Sequence, residues 1–445
     1  MAVARGGEVQ GADEAPTRYA WYVAALLLAV NTTSYIDRKM PFILVEPIKH
    51  DLALSDTQIG LITGLAFALF YGAAGIPLAS LADKGNRARI LAFALAAWGG
   101  LTSLGGFAQN FWHLCSARIG VAASESVGTP CSHSLLADYF PSGHRARVIA
   151  LYTIGPPLGI FLGLSLGGLI NQFLNWRIAM FLLGVPGLLL AVLVHFTLRE
   201  PPRKVAADAA QEPAPRMVDA VRAYLREPML IHLWCANVLF ATSSSALQVF
   251  APAFIMRTFG LPTGEIGVTY GLLAGVAGTV GAMAGGQLGD RVGLRRALIC
   301  GAAVVGLSAP VLVFGLFSHS YPLFLVGVFA VSASVYMTSG PMYAVIQRVL
   351  PSRMHAVGTA ITLLGVNGVA MSIGPVVTGA ISDGLGYMKG GEGLKWALVV
   401  SSAPILWSAV HLLLAARWLT RDGVISSRAA PSANGNGRAP ARSLP

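Results

Sequence analysis

Asp37, Arg38, Arg118 and Glu125 stand inside long apolar runs, and they are the residues of this chain best suited to do chemistry. An ionisable group at mid-membrane costs at least about 2.5–3.5 kcal/mol, so it faces a cavity or a partner. A carboxyl in such a place can bind and release a proton, because burial favours its neutral form and a neighbouring cation its charged form. Asp37 is the best placed for this, with Glu125 sharing the role. Arg38 or Arg118 would then hold the headgroup of an anionic cargo. Arg118 and Glu125 are seven residues apart, two turns and roughly 10 Å on a straight helix. Each therefore needs a partner from another element, and Arg38 with Glu125 is one such pairing. The competing reading is that Arg118 and Glu125 only brace the amino-terminal half as a buried polar network.

The elements that must position these groups are membrane helices. The chain has 445 residues, 55% hydrophobic and 11% charged, with mean hydropathy +0.64. A soluble chain carries about 25% charged residues, so the bilayer must be the solvent for most of this one. The 51 glycines suit closely packed membrane helices. Twelve apolar stretches are long enough to cross a hydrocarbon core: 19–45, 56–82, 89–109, 111–137, 147–171, 175–197, 229–256, 264–289, 297–317, 321–348, 356–383 and 394–418. The predicted fold is all-α, with twelve transmembrane helices in two pseudo-symmetric six-helix bundles. The expected divisions are a tail at 1–18, a bundle at 19–197, a linker at 198–228, a second bundle at 229–418 and a disordered tail at 419–445. Residues 1–18 are too polar for a signal peptide, so the first span is expected to act as an uncleaved insertion signal.

Basic residues cluster after the even-numbered spans, in the linker and in both tails. Few follow the odd-numbered spans, where Lys39, Lys49, Arg177, Arg257, Lys389 and Lys395 are assigned. This places both termini in the cytoplasm. The net charge of +11 follows from that bias, with membrane lipids as the counter-surface, and needs no nucleic acid.

A repeat relates the halves. Ala79–Arg89 reads A-S-L-A-D-K-G-N-R-A-R and Gly286–Arg296 reads G-Q-L-G-D-R-V-G-L-R-R, aligning Asp83 with Asp290 and Lys84 with Arg291. Pro141-Ser142 matches Pro351-Ser352 at a similar offset. Parallel six-span repeats are the arrangement of rocker-type carriers. Asp83 is expected to cap a neighbouring helix and hold Arg87 or Arg89, and Asp290 beside Arg291 to do likewise. These residues read as a conformational latch at the cytoplasmic gate.

The two loops resemble the loop motif of the major facilitator superfamily, roughly G-x-L-x-D-R-x-G-R-R/K. Ala79, Lys84 and Asn86 depart from it in the first copy and Leu294 in the second. Arg118–Glu125 and Gly155–Gly159 resemble two further motifs of that superfamily. Within it, Asn31–Pro41, Asp51–Tyr71 and the acid seven residues after Arg118 resemble Spinster-type transporters. That resemblance implies export or release of lysolipids or sphingoid phosphates, with proton coupling in bacterial members.

The carboxy-terminal half carries no mid-span charge but has polar faces: Asn237, Ser244, Ser245 and Gln248; Tyr336, Ser339, Tyr343 and Gln347; Thr362 and Asn367. Any one of them reads most simply as an interhelical hydrogen bond. As a set, with Asn237, Gln248, Tyr343 and Asn367 foremost, they complete a cavity charged on one wall and uncharged on the other. That asymmetry suits an amphiphilic, lipid-like anion such as a lysophospholipid. A small organic anion or sugar acid is the alternative, and a non-transporting receptor or sensor is the alternative of another class. His133 reads as a structural group more readily than as a proton relay. Cys115, Cys131, Cys235 and Cys300 lack metal-ligand spacing, so no metal or cofactor is expected. Walker, H-E-x-x-H and G-x-S-x-G motifs are missing, which removes the commonest ATPase and hydrolase signals. The expectation is a monomeric carrier driven by protons, with no enzymatic activity.

Overall fold

The computed structural model describes residues 16–202, 217–351, 354–388 and 391–419. Expectations for the amino-terminal tail, most of the linker and the carboxy-terminal tail lie outside the described residues.

The amino-terminal half begins with α1 (Arg18–Ile43) and the short α2 (Val45–Asp51). Next, α3 (Asp56–Gly60) runs through a π-helical segment, Leu61–Leu65, into α4 (Ala66–Lys84). Then come α5 (Arg87–Gly105), α6 (Phe111–Glu125), α7 (Gly128–Tyr139), α8 (Ser142–Tyr152), α9 (Gly155–Phe173) and α10 (Trp176–Thr197). The linker contributes α11 (Met217–Arg226). The second half holds α12 (Pro228–Phe259), α13 (Thr263–Val292), α14 (Leu294–Phe317) and α15 (Tyr321–Val349). There α16 (His355–Leu363) passes through a second π-helical segment, Leu364–Ala370, into α17 (Met371–Gly384), and α18 (Glu392–Ala416) follows.

Local sequence explains many of the boundaries. Asn86, Asn110 and Asn175 each place a side-chain oxygen on a backbone N–H of the first turn of α5, α6 and α10. Ser55 and Gln58 form a reciprocal capping box at α3. Gly260 ends α12 in the left-handed region, at φ 66°.

Among the described residues ten helices are long and apolar enough to cross a bilayer. Helix α1, with its charged turn, and the α6–α7 pair complete the twelve passes. The fourth pass is not the straight helix expected. It breaks at Ser126 and Val127, where the ring of Pro130 would clash with the carbonyl four residues earlier. His133 stands exposed on α7, beyond the break, its ring edge-on to Tyr152 at 5.0 Å.

The halves meet along two seams. Helix α9 lies against α13 so closely that a Cβ at Gly267 would sit 2.2 Å from the Leu164 carbonyl oxygen. Helix α3 lies against α17, where a Cβ at Gly379 would sit 2.3 Å from the carbonyl oxygen of Asp56. Only glycine allows either approach. Both seams lie at the end of the bundle remote from the termini. One apolar cluster runs through both halves there, joining Met40 and Ile43 to Phe250 and Phe254. A second cluster, around Trp98 and Leu135, belongs to the termini end of the first half alone.

Candidate functional site

At the junction of the halves is a cavity of about 220 Å³. On one wall are Tyr35, Arg38, Lys39 and Phe42 of α1, Phe67 of α4 and Arg118 of α6. On the other are Ser244, Ser245 and Gln248 of α12, Tyr336 of α15 and Asn367 of the second π-helical segment.

Consecutive residues on a helix point about 100° apart, so one turn of α1 sends three charges to three places. Asp37 points into its own half and is fully buried. Among the described residues no hydrogen bond within 3.5 Å reaches either carboxylate oxygen. Its charged neighbours are Glu125 and Arg118, and the Thr102 hydroxyl is beside it. Arg118, 2% exposed, donates to the Asp37 backbone carbonyl at 3.2 Å and stacks over Phe67 at 5.0 Å. Arg38 donates from Nε to Glu125 at 2.9 Å, so that pair lies across α1 and α6. The guanidinium is held over Tyr71 at 4.4 Å and flanked by Tyr35 and Phe67, cation–π contacts that fix its plane. Ser34 donates to the same carboxylate oxygen, and Glu125 Oε2 has no hydrogen-bond partner among the described residues.

Lys39 was assigned to the loop after the first span, and the structure corrects this. Helix α1 continues to Ile43, and Lys39 is an 8%-exposed residue of the cavity wall. Its Nζ donates to Gln248 Oε1 at 2.7 Å, across the junction, and lies 4.7 Å from the Phe42 ring centre. Gln248 donates in turn to Ser244 at 3.2 Å. Of the four polar residues put foremost in the second half, Gln248 and Asn367 line the cavity; Asn237 and Tyr343 are not among the residues that line it.

The remote end is closed by charge, of which the sequence marks Lys49 and Arg257 only as orientation signals. Arg257 of α12 grips Asp56 with Nη1 at 2.8 Å and Nη2 at 2.7 Å, and also pairs with Glu46. Lys49 and Ser382 reach the same Asp56 carboxylate at 2.5 and 2.6 Å. Asp383 of α17 accepts from the backbone N–H groups of Asp56 and Thr57 at 2.9 and 2.8 Å, which caps α3 from the opposite half.

At the termini end Asn86 is the N-cap of α5, and Asp83 belongs to the last turn of α4, with its side chain outside the described residues. Arg87 bonds within its own half, to Asp138, Glu200 and Ser134, each at 2.6 Å. Arg89, Asp290 and Arg291 are exposed. Glu200, at the start of the linker, also accepts from the Ala88 N–H at 3.1 Å. Removing one partner of a buried ion pair costs about 3–5 kcal/mol. Arg87→Ala is therefore expected to lower the melting temperature of purified protein by several degrees, as read by intrinsic fluorescence. An unchanged melt would mean that the Asp138–Glu200 cluster contributes nothing to stability.

Two six-helix halves around one central cavity, with charge concentrated at its wall, define an all-α membrane carrier. Residues 27–375 match the profile of the Major Facilitator Superfamily, and the chain belongs to that family. It is a multi-pass membrane transporter. It is 35% identical to an MFS-type efflux pump of Mycolicibacterium smegmatis, over 94% of this chain and 97% of that one. It is 26% identical to the hexuronate transporter of Bacillus subtilis, over 85% and 92% of the two chains. Among solved structures it is similar to a bacterial homolog of the human lysosomal transporter Spinster in an inward-facing, occupied conformation. That match has 26% identity and a TM-score of 0.81, covering 92% of this chain and 99% of the other.

Proposed function

We propose that this transporter is a proton-coupled carrier that moves an amphiphilic anion, a lysophospholipid or related lysolipid, by alternating access. The observation that carries this reading is the division of the cavity. Arg38, Lys39 and Arg118 stand on one wall, and the facing wall offers uncharged hydroxyl, amide and apolar groups. A charged headgroup is served by the first wall and an acyl chain by the second. Asp37 supplies the proton site, because a fully buried carboxylate with no hydrogen bond among the described residues gains most from neutralisation. Glu125 shares the role through its pair with Arg38. Protonation removes the charge that keeps α1 and α6 in register, and α1 is then free to move with its half.

The chain sits in the inner membrane of a bacterium as a monomer with both termini in the cytoplasm, so the closed end described above faces outward. The inward-facing conformation named for the Spinster homolog agrees with this orientation. In the opposite conformation Asp83, Arg87, Arg89, Asp290 and Arg291 form the cytoplasmic latch. Asp290→Asn should then favour the inward-open form in cysteine-labelling experiments, and unchanged labelling would dismiss the latch.

The hexuronate relative supports a second reading, a sugar acid carried by the same machinery. Purified protein in liposomes separates the two. Labelled lysophosphatidylglycerol and labelled glucuronate are offered with and without a proton gradient. Gradient-dependent movement of the lysolipid alone is expected. Movement of glucuronate alone would replace the substrate and keep the coupling, and flux indifferent to the gradient would remove the coupling.

A further inference from the structure

We infer that Lys39 is the anion-binding residue of this cavity and sets its preference for net negative charge. The inference rests on the reading above that an anion occupies the cavity, and it names the group that selects it.

The argument is one of charge accounting around the cavity. Three cations, Arg38, Lys39 and Arg118, meet two carboxylates, Asp37 and Glu125, which leaves one positive charge. The geometry says where it resides. Arg38 is neutralised by Glu125 at 2.9 Å. Arg118 lies beside Asp37, donating to its backbone carbonyl. Among the described residues Lys39 has no carboxylate within 4 Å, and its one hydrogen-bond partner is the neutral amide of Gln248. A buried cation without a counter-charge is costly, and that cost is recovered when an anion arrives. Arg38 gains less because it is ion-paired, and Arg118, though it too has no carboxylate within 4 Å among the described residues, because it lies in the field of both Glu125 and Asp37.

The position of Lys39 adds a second consequence. Its bond to Gln248 is a contact between the halves at the level of the cavity. An anion taking the ammonium competes with the Gln248 oxygen, so occupancy is registered at the junction itself. A small side cavity, lined by Leu164, Tyr270 and Ala274, opens from Lys39 and Phe42 between α9 and α13. At about 60 Å³ it has room for only the first carbons of a chain attached to the headgroup.

The test measures binding to purified detergent-solubilised protein by competition, using lysophosphatidylglycerol (net negative), lysophosphatidylcholine (zwitterionic) and glucuronate. Lys39→Gln should weaken lysophosphatidylglycerol at least tenfold and lysophosphatidylcholine less than twofold. Lys39→Arg should restore most of the difference. Gln248→Ala, which keeps the ammonium and removes its competitor, should bind the anion as well as wild type or better. Wild type that binds glucuronate but no lysolipid, with glucuronate lost in Lys39→Gln, would defeat the lysolipid reading and leave the Lys39 assignment standing. Equal losses for both lysolipids in a protein with an unchanged melting profile would overturn it, as would an unaffected Lys39→Gln. Wild type that binds neither anion would overturn it too.

Discussion

Asp37→Asn should abolish gradient-driven transport, by about a hundredfold or more, while substrate binding stays within a few-fold of wild type. The substitution keeps size and shape and removes one property, the ability to carry a negative charge. Asp37 is fully buried beside Arg118 and the Thr102 hydroxyl, and an amide of the same shape still offers each of them an oxygen. Folding should survive, because the neutral amide is cheaper to bury than the ion. The variant behaves as a permanently protonated carrier. It should still exchange labelled for unlabelled substrate across a liposome membrane without a gradient, which separates lost coupling from lost carriage. Glu125→Gln should differ, since Glu125 anchors Arg38 and accepts from Ser34, and its loss frees a buried guanidinium. That variant should lose exchange as well as coupling. Full gradient-driven uptake by Asp37→Asn would remove Asp37 from the mechanism.

The second large effect is conformational. Arg257→Ala should shift the protein away from the state seen here by about 3 kcal/mol, more than a hundredfold in the ratio of the two forms. Arg257 joins α12 to Asp56 and Glu46 of the other half, and Asp56 is 2% exposed. Without the guanidinium, Asp56 keeps only Lys49, from its own half, and the Ser382 hydroxyl. The remote end then holds a buried carboxylate poorly compensated across the junction, and opening that end hydrates it. The measurement is alkylation of a cysteine at Thr63, which lines the cavity, by a membrane-impermeant maleimide applied from the remote side. Wild type should label slowly and Arg257→Ala many times faster. Asp383→Ala should act in the same direction and less strongly, since it removes a cap on α3 rather than an ion pair. Equal labelling rates would mean that the apolar seams alone keep the end shut.

The fold was legible in the sequence because hydropathy and the repeated loops leave few other arrangements for so apolar a chain. Individual charges were legible only where their surroundings made them anomalous. Asp37, Arg38, Arg118 and Glu125 stood out among Leu, Ala and Val, and the structure gathers all four on α1 and α6. Lys39 sits in the same turn yet was assigned to a loop, because hydropathy cannot tell the last turns of a helix from the segment after it. Asp56, Arg257 and Asp383 were invisible for a different reason. Charges at span ends are ordinary one at a time, and only the packing of α3 on α17 and the reach of Arg257 from α12 show that they belong together. The break in the fourth pass had its signal in Pro130. The two π-helical segments had none, since the wider hydrogen-bonded ring has no fixed residue pattern.

The charged turn of α1 has one further consequence. Asp37, Arg38 and Lys39 rise only about 3 Å along the axis from first to last, yet they address the proton site, the ion pair and the opposite half. Being fixed to one rigid rod, they cannot move independently. A few degrees of rotation of α1 retunes all three at once, so the protein needs no relay of side chains to let one learn the state of another. The helix works as a camshaft, with timing set by the order of three residues. Exchanging the positions of Arg38 and Lys39 would therefore keep composition and net charge and still mistime the cycle.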